Sequence, residues 1–171
     1  IGLPVINGSS EQGQTLSVDV SRIQDLDSLG EFSYQWLANG VAIQNADGST
    51  FAPTQAEVGA TLSVRVGYTD GQNTSESITS LATDEIENRN DEPTGVLAIQ
   101  GTEKEGETLT IDNTGIDDAD GFNAERMTYE WFADGEAIDG AIRSGLLLDQ
   151  TVVGKKISVL ASFNDDYGQL E

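Results

Sequence analysis

The 171-residue sequence contains neither cysteine nor histidine. Their absence removes disulfides, zinc or thiolate chemistry, and every catalytic arrangement that depends on imidazole. It does not fix the compartment, because a secreted bacterial protein can do without disulfides. Basic residues are also scarce: 8 lysines and arginines stand against 30 acidic residues, a net charge of −22. Nucleic acid and anionic membrane surfaces both demand basic patches, so neither is an expected partner. No stretch approaches the ~20 apolar residues of a membrane-spanning helix, and no signal peptide is visible. The opening "IGLPVING" starts abruptly, so the sequence reads as a piece of a longer chain. With 37% hydrophobic residues and 19 glycines, one or two modest cores can form.

What the sequence does have is an internal repeat. "GSSEQGQTLSV" (8–18) aligns with "GTEKEGETLTI" (101–111), placing Gly13 over Gly106, 93 positions on. "YQWLANGVAI" (34–43) aligns with "YEWFADGEAI" (129–138), placing Trp36 over Trp131, 95 positions on. The second copy therefore carries two extra residues, in the loop around Asn123 to Arg126. "EVGATLSVRVGYTD" (57–70) pairs with "VVGKKISVLASFND" (152–165) at the larger offset. Copy one continues through "SESITSLAT" (75–83), whereas copy two stops at Glu171, opposite Glu76.

Within each copy the apolar period is two. "TLSVDV", "FSYQWLA", "TLSVRVGY" and "ESITSLA" alternate as half-buried strands do, with "NG" and "DG" turns between them. No sustained helical period is present. The expected fold is all-β: two tandem immunoglobulin-like β-sandwich repeats, 1–83 and 94–171, joined by an acidic linker over 84–93. Trp36 and Trp131 fall mid-strand, where a core tryptophan belongs. Thr61 and Lys156 stand where a corner tyrosine would be expected. The second repeat should be truncated before its last strand, leaving an unpaired edge that invites association.

In immunoglobulin strand order the acidic clusters gather at the poles. Asp25 and Asp27, and Asp118 and Asp120 in the second copy, lie between the second and third strands. Asp70, and Asp165 beside Asp166, lie in the hairpin between the sixth and seventh. Glu11 in the first hairpin and Glu57 in the corner belong to the opposite pole of copy one. The expectation is that these loops converge on the acidic connector. Two carboxylates ~5 Å apart repel by roughly 3 kcal/mol at an effective dielectric of about 20, so such a gathering calls for a counterion. A hard cation with six to eight oxygen ligands suits it, and calcium suits it better than magnesium. The competing reading is a set of solvated turns. An EF-hand is excluded, since with Gly121 at the loop glycine, Ile116 and Met127 would occupy its first and last ligand positions.

The connector "NRNDEP" (88–93) resembles that of cadherins, with Asn90 and Asp91 at its ligand positions. "DAD" (118–120) is similar to the cadherin motif of the following domain, and Glu11 and Glu57 occupy loops that supply glutamate ligands there. More broadly, the chain resembles the tandem immunoglobulin-like or cadherin-like repeats of giant bacterial surface adhesins exported by type I secretion (RTX-type). "PTGVLAIQGTEKEGETLT", "DADG", "YEWFADGEAIDGA" and "VGKKISV" carry the resemblance; copy one departs from it with "DLDSLG" and "IQNA". The resemblance implies non-catalytic spacer repeats, extracellular and on the bacterial cell surface, with Ca2+ at inter-repeat junctions stiffening a rod. The partners would be neighbouring repeats of the same chain, and the isolated piece a monomer apart from edge pairing. An alternative is a carbohydrate- or protein-ligand-binding sandwich, for which Tyr167, Phe122 and Tyr68 are the exposed aromatic candidates. Catalysis is not expected, because the carboxylates sit on convex loop tips that recur per repeat. The sequons at 7–9 and 73–75 read as turns.

Overall fold

The structure is a computed structural model that describes residues 2–171. It is all-β, of the β-sandwich class, with antiparallel sheets and single-turn 3-10 segments in place of α-helices. The chain forms two compact units, Ile1–Arg89 and Asn90–Glu171.

The first unit contains β1 (Val5–Asn7), β2 (Leu16–Asp19), β3 (Ser33–Ala38), β4 (Val41–Ala42), β5 (Thr50–Phe51), β6 (Leu62–Thr69) and β7 (Ser75–Thr79). One sheet runs β1-β2-β5 and the other β4-β3-β6-β7. The period-two pattern explains why: along β6, Leu62, Val64, Val66 and Tyr68 are buried while the residues between them are not. With Leu16 from the facing sheet and Trp36 from the neighbouring strand β3 they make one core. Trp36 stacks on Phe51 at 5.6 Å between ring centroids. Asn39 and Gly40, both at positive φ, make the tight β3–β4 turn that their sequence signals.

The second unit contains β8 (Ala98–Gln100), β9 (Thr108–Asp112), β10 (Thr128–Ala133), β11 (Glu136–Ala137), β12 (Gly145–Leu147) and β13 (Ile157–Ser162). Its sheets run β8-β9-β12 and β11-β10-β13. The register follows the sequence alignment: Trp36 lies opposite Val64, and Trp131 opposite Val159. The indole N–H of Trp36 donates to the Gly48 carbonyl at 2.9 Å, and that of Trp131 to Arg143 at 2.8 Å. The two extra residues are absorbed by a 3-10 turn, Ala124–Arg126, capped by the Asn123 side chain.

The units differ at one edge. Phe163 and Glu171 exchange main-chain hydrogen bonds of 3.0 and 2.8 Å, the pairing that Tyr68 and Glu76 make in the first unit. Among the described residues no strand flanks β13 beyond that start. Its inward residues Ile157 and Val159 are consequently only half-buried, whereas their counterparts Leu62 and Val64 are fully covered.

In the first unit the cover comes from the chain after β7. Ser80 bonds Val64, Thr83 bonds Leu62, and Ile86 is 1% exposed. The acidic stretch read from sequence as a linker is therefore divided. Ile86 exchanges hydrogen bonds with the chain at Gly59 and Ala60, both 2.9 Å, and Glu87 with Ser10 and Gln12. The single apolar side chain in "DEIEN" accounts for this, since burying an isoleucine contributes about 1.5–3 kcal/mol.

Candidate functional site

At the pole of the second unit where the chain comes in, four segments meet. The Asp91 N–H donates to Asp120 Oδ2 at 2.6 Å, and Thr94 and Asp117 exchange main-chain bonds of 2.8 and 3.1 Å. The Asp166 N–H donates to the Asp120 carbonyl at 3.2 Å, bringing in the hairpin after β13. Asn90 Nδ2 donates to Glu171 Oε1 at 3.0 Å. Gly121, at φ +111°, lets the Asp166 side chain lie against its backbone, where a Cβ would collide with the carboxylate.

Three aspartates here are more than nine-tenths buried: Asp118 at 7%, Asp120 at 2% and Asp165 at 3% exposure. Each uses one carboxylate oxygen: Asp118 and Asp165 within their own turns, and Asp120 on the Asp91 N–H of the incoming chain. Asp118 Oδ1 accepts from the Asp120 N–H at 2.8 Å, and Asp165 Oδ1 accepts from Tyr167 and Gln169 at 2.9 and 2.7 Å. The other oxygens, Asp118 Oδ2, Asp120 Oδ1 and Asp165 Oδ2, are buried with no hydrogen-bond partner. A buried acceptor left unpaired costs about 1–3 kcal/mol, and more when charged. Burial pushes the Asp118 carboxyl above its ordinary range; the charges of Asp120, Glu171 and Asp165 push it the same way, against the Asp120 N–H. Arg126 pairs with Asp166 at the exposed surface, 3.5 Å away, and not with these three carboxylates.

The equivalent pole of the first unit is settled internally. The Tyr68 hydroxyl stands 2.9 Å from both Asp25 Oδ2 and Glu76 Oε2. Asp27 Oδ1 accepts from Gln72 Nε2 at 2.7 Å, and Asp70 Oδ1 accepts from the Gln72 and Thr74 N–H groups. None of these carboxylates has a buried oxygen without a partner. The N–H of Asp27, donated to Asp25, is the main cause holding the Asp25 carboxyl below its usual range, and Tyr68 assists.

At the opposite pole of the first unit, Glu57 caps a 3-10 turn. Its Oε2 accepts from the Thr54 N–H and hydroxyl, both at 2.8 Å, a reciprocal capping box. Glu11 forms a parallel bridge with Glu87, and the neighbouring Asn88 Oδ1 is buried without a partner. The second unit has Lys104 and Val152 at the positions of Glu11 and Glu57.

The structure thus divides the sequence candidates. Asn90, Asp91, Asp118, Asp120 and Asp165 are brought together in one unit. Asp25, Asp27 and Asp70 form a self-paired counterpart, and Glu11 and Glu57 stand with the outgoing chain. Glu171 and Asn88 were not singled out from sequence; only their alignment with Glu76 and their place in "NRNDEP" pointed to them. Among the described residues no three acidic side chains are drawn together as a finished metal-ligand set. What stands at the second unit's pole is unneutralised, desolvated carboxylate. The aromatic candidates fare differently: Trp36, Trp131 and Tyr68 are buried, Phe122 packs edge-on against Phe163, and Tyr167 is exposed. Comparison with models of known protein families and with curated protein sequences yields no match.

Proposed function

We propose that the chain is a calcium-dependent structural spacer: two immunoglobulin-like repeats of an extracellular bacterial surface adhesin, without catalytic activity. The observation that carries this reading is the trio of buried, unpaired carboxylate oxygens on Asp118, Asp120 and Asp165. Calcium accepts six to eight oxygens from carboxylates, amide carbonyls and water, and so answers the unmet demand of this pole. Asp91 and Glu171 flank the same carboxylates and are the natural further ligands. Because Asp91 belongs to the incoming chain, a cation there would tie the connector to the second repeat and limit its swing. At a free calcium level 100-fold above Kd, the bound state gains about 2.7 kcal/mol.

The test is calcium titration by calorimetry, paired with thermal melts in calcium and in chelator. Saturable binding with a raised melting temperature, both lost in Asp118→Asn/Asp120→Asn, is the expected result. Absence of heat, with coincident melts, would end the calcium reading. Small-angle scattering with and without calcium tests the spacer separately: binding with no change in the distribution of end-to-end distances would leave a metal site but no stiffened rod.

A further inference from the structure

The acidic pole of the second unit is divided between two loops that repel each other. Asp118 and Asp120 belong to the loop before β10, and Asp165 to the hairpin after β13. All three are buried, each with one oxygen lacking a partner. Like charges so placed push their segments apart. Keeping the two loops in register therefore depends on the contacts between them.

The main-chain tie runs from the Asp166 N–H to the Asp120 carbonyl at 3.2 Å. The first unit makes the same tie, from the Gly71 N–H to the Asp27 carbonyl, at a closer 2.8 Å. Around this shared bond the side chains are exchanged. The first unit has Ser28 and Gly71; the second has Gly121 and Asp166 at the aligned positions. Either loop can fill the contact, but not both. A Cβ on Gly71 would collide with the Ser28 hydroxyl, and one on Gly121 with the Asp166 carboxylate. The exchange also relieves the backbone: Ser28 sits at φ +75°, whereas a glycine takes the corresponding +111° freely.

A further acid here would by itself deepen the repulsion. The second unit answers it locally, because the 3-10 turn that absorbs its two extra residues, Ala124–Arg126, brings Arg126 to 3.5 Å from Asp166. By the larger offset the first unit has Glu31 at that place.

We infer, on the calcium reading, that Arg126 and Asp166 are positioning residues for the cation: a latch that clamps the hairpin bearing Asp165 onto the loop bearing Asp118 and Asp120. Neither needs to touch the ion. Arg126 holds the Asp166 carboxylate, that carboxylate lies over the Gly121 backbone, and the Asp166 main chain bonds Asp120. Loops already in register leave less ordering to be done on binding, so the latch tightens it. Both side chains of the pair are exposed, which keeps its effect modest.

Calcium calorimetry on Arg126→Ala tests the latch by the sign of the change. A merely neighbouring positive charge opposes calcium, and removing it would tighten binding. A latch favours calcium, and its removal should weaken binding about two- to fivefold, the scale of an exposed charge pair. Arg126→Lys, which keeps a charge for Asp166, should restore most of the affinity. In an Asp166→Asn background, Arg126→Ala should no longer weaken binding. A second readout needs no calcium: exchange of the Asp166 amide, followed by NMR in chelator, should quicken in Arg126→Ala and stay near wild type in Arg126→Lys. Unchanged or tighter binding in Arg126→Ala would overturn the inference and leave the calcium reading intact. Equal amide exchange in the wild type and Arg126→Ala would overturn it as well, whatever calcium does. No calcium heat from the wild type would end the calcium reading itself, and the positioning role with it.

Discussion

Tyr68 and Phe163 occupy the same station in their respective units, opposite Glu76 and Glu171, and differ by a single hydroxyl. Tyr68 stands between the carboxylates of Asp25 and Glu76, each 2.9 Å away. Phe163 has no such donor and packs edge-on against Phe122 at 5.1 Å. The counterparts of Asp25 and Glu76 are Asp118 and Glu171; there Asp118 Oδ2 is buried without a partner, and Glu171 Oε1 accepts from the Asn90 amide instead. In Tyr68→Phe the first unit should lose about 1.5–3 kcal/mol, the scale of a hydrogen bond to a charged group. Chemical denaturation checks it; an unchanged midpoint would show that the hydroxyl contributes nothing to stability.

Removing Trp131 should unfold one unit and spare the other. The ring is fully buried and its N–H is bonded, so Trp131→Ala should cost about 3–5 kcal/mol, a large share of a small domain's stability. Because each unit has its own core, scanning calorimetry should show one transition lowered and one unmoved. A single transition shifting as a whole would mean that the units unfold together.

The pH response should change sign with calcium. Burial raises the folded-state value of Asp118 above its unfolded value of about 3.9. In chelator, this group's contribution is intact below the unfolded value and is lost as pH rises through the folded one, so the second unit weakens over that interval. Calcium requires the ionised form, and its affinity should climb over the same interval with proton release. Melts in chelator across pH, comparing the wild type with Asp118→Asn, isolate the effect. Parallel curves would contradict it.

Gly95 should tolerate no side chain. It sits at φ +100°, and a Cβ there would overlap the Gly115 carbonyl. Gly2 meets the Arg22 carbonyl in the same way in the first unit. Gly95→Ala should cost more than about 1 kcal/mol and separate Thr94 from Asp117, next to the candidate ligands. Reduced calcium heat together with a lower melting temperature is expected; a neutral outcome would show that the Thr94–Asp117 pair is dispensable.

The sandwich was legible because strand alternation and turn chemistry are local, and because offsets of 93 and 95 residues carry directly into strand register. Two features were hidden for opposite reasons. The Thr54-x-x-Glu57 capping box is a local signal, but a glutamate in a resembling position drew attention to ligation instead. The docking of Ile86 is non-local: one apolar residue among three acidic neighbours reads as linker until its place against Gly59 and Ala60 is visible. The unpaired oxygens depend on which donors reach each carboxylate, and spacing alone does not encode that.

The path of Glu87 also bears on force. Glu11 and Glu87 run parallel, with bonds of 3.0 Å from the Gln12 N–H to the Glu87 carbonyl and 2.9 Å from the Glu87 N–H to the Ser10 carbonyl. Tension drawing the two ends of the first unit apart pulls these parallel segments past one another. The bonds are then loaded together in shear, instead of peeling open one after another. For a segment of a tether, the outgoing chain would thereby serve as a mechanical clamp.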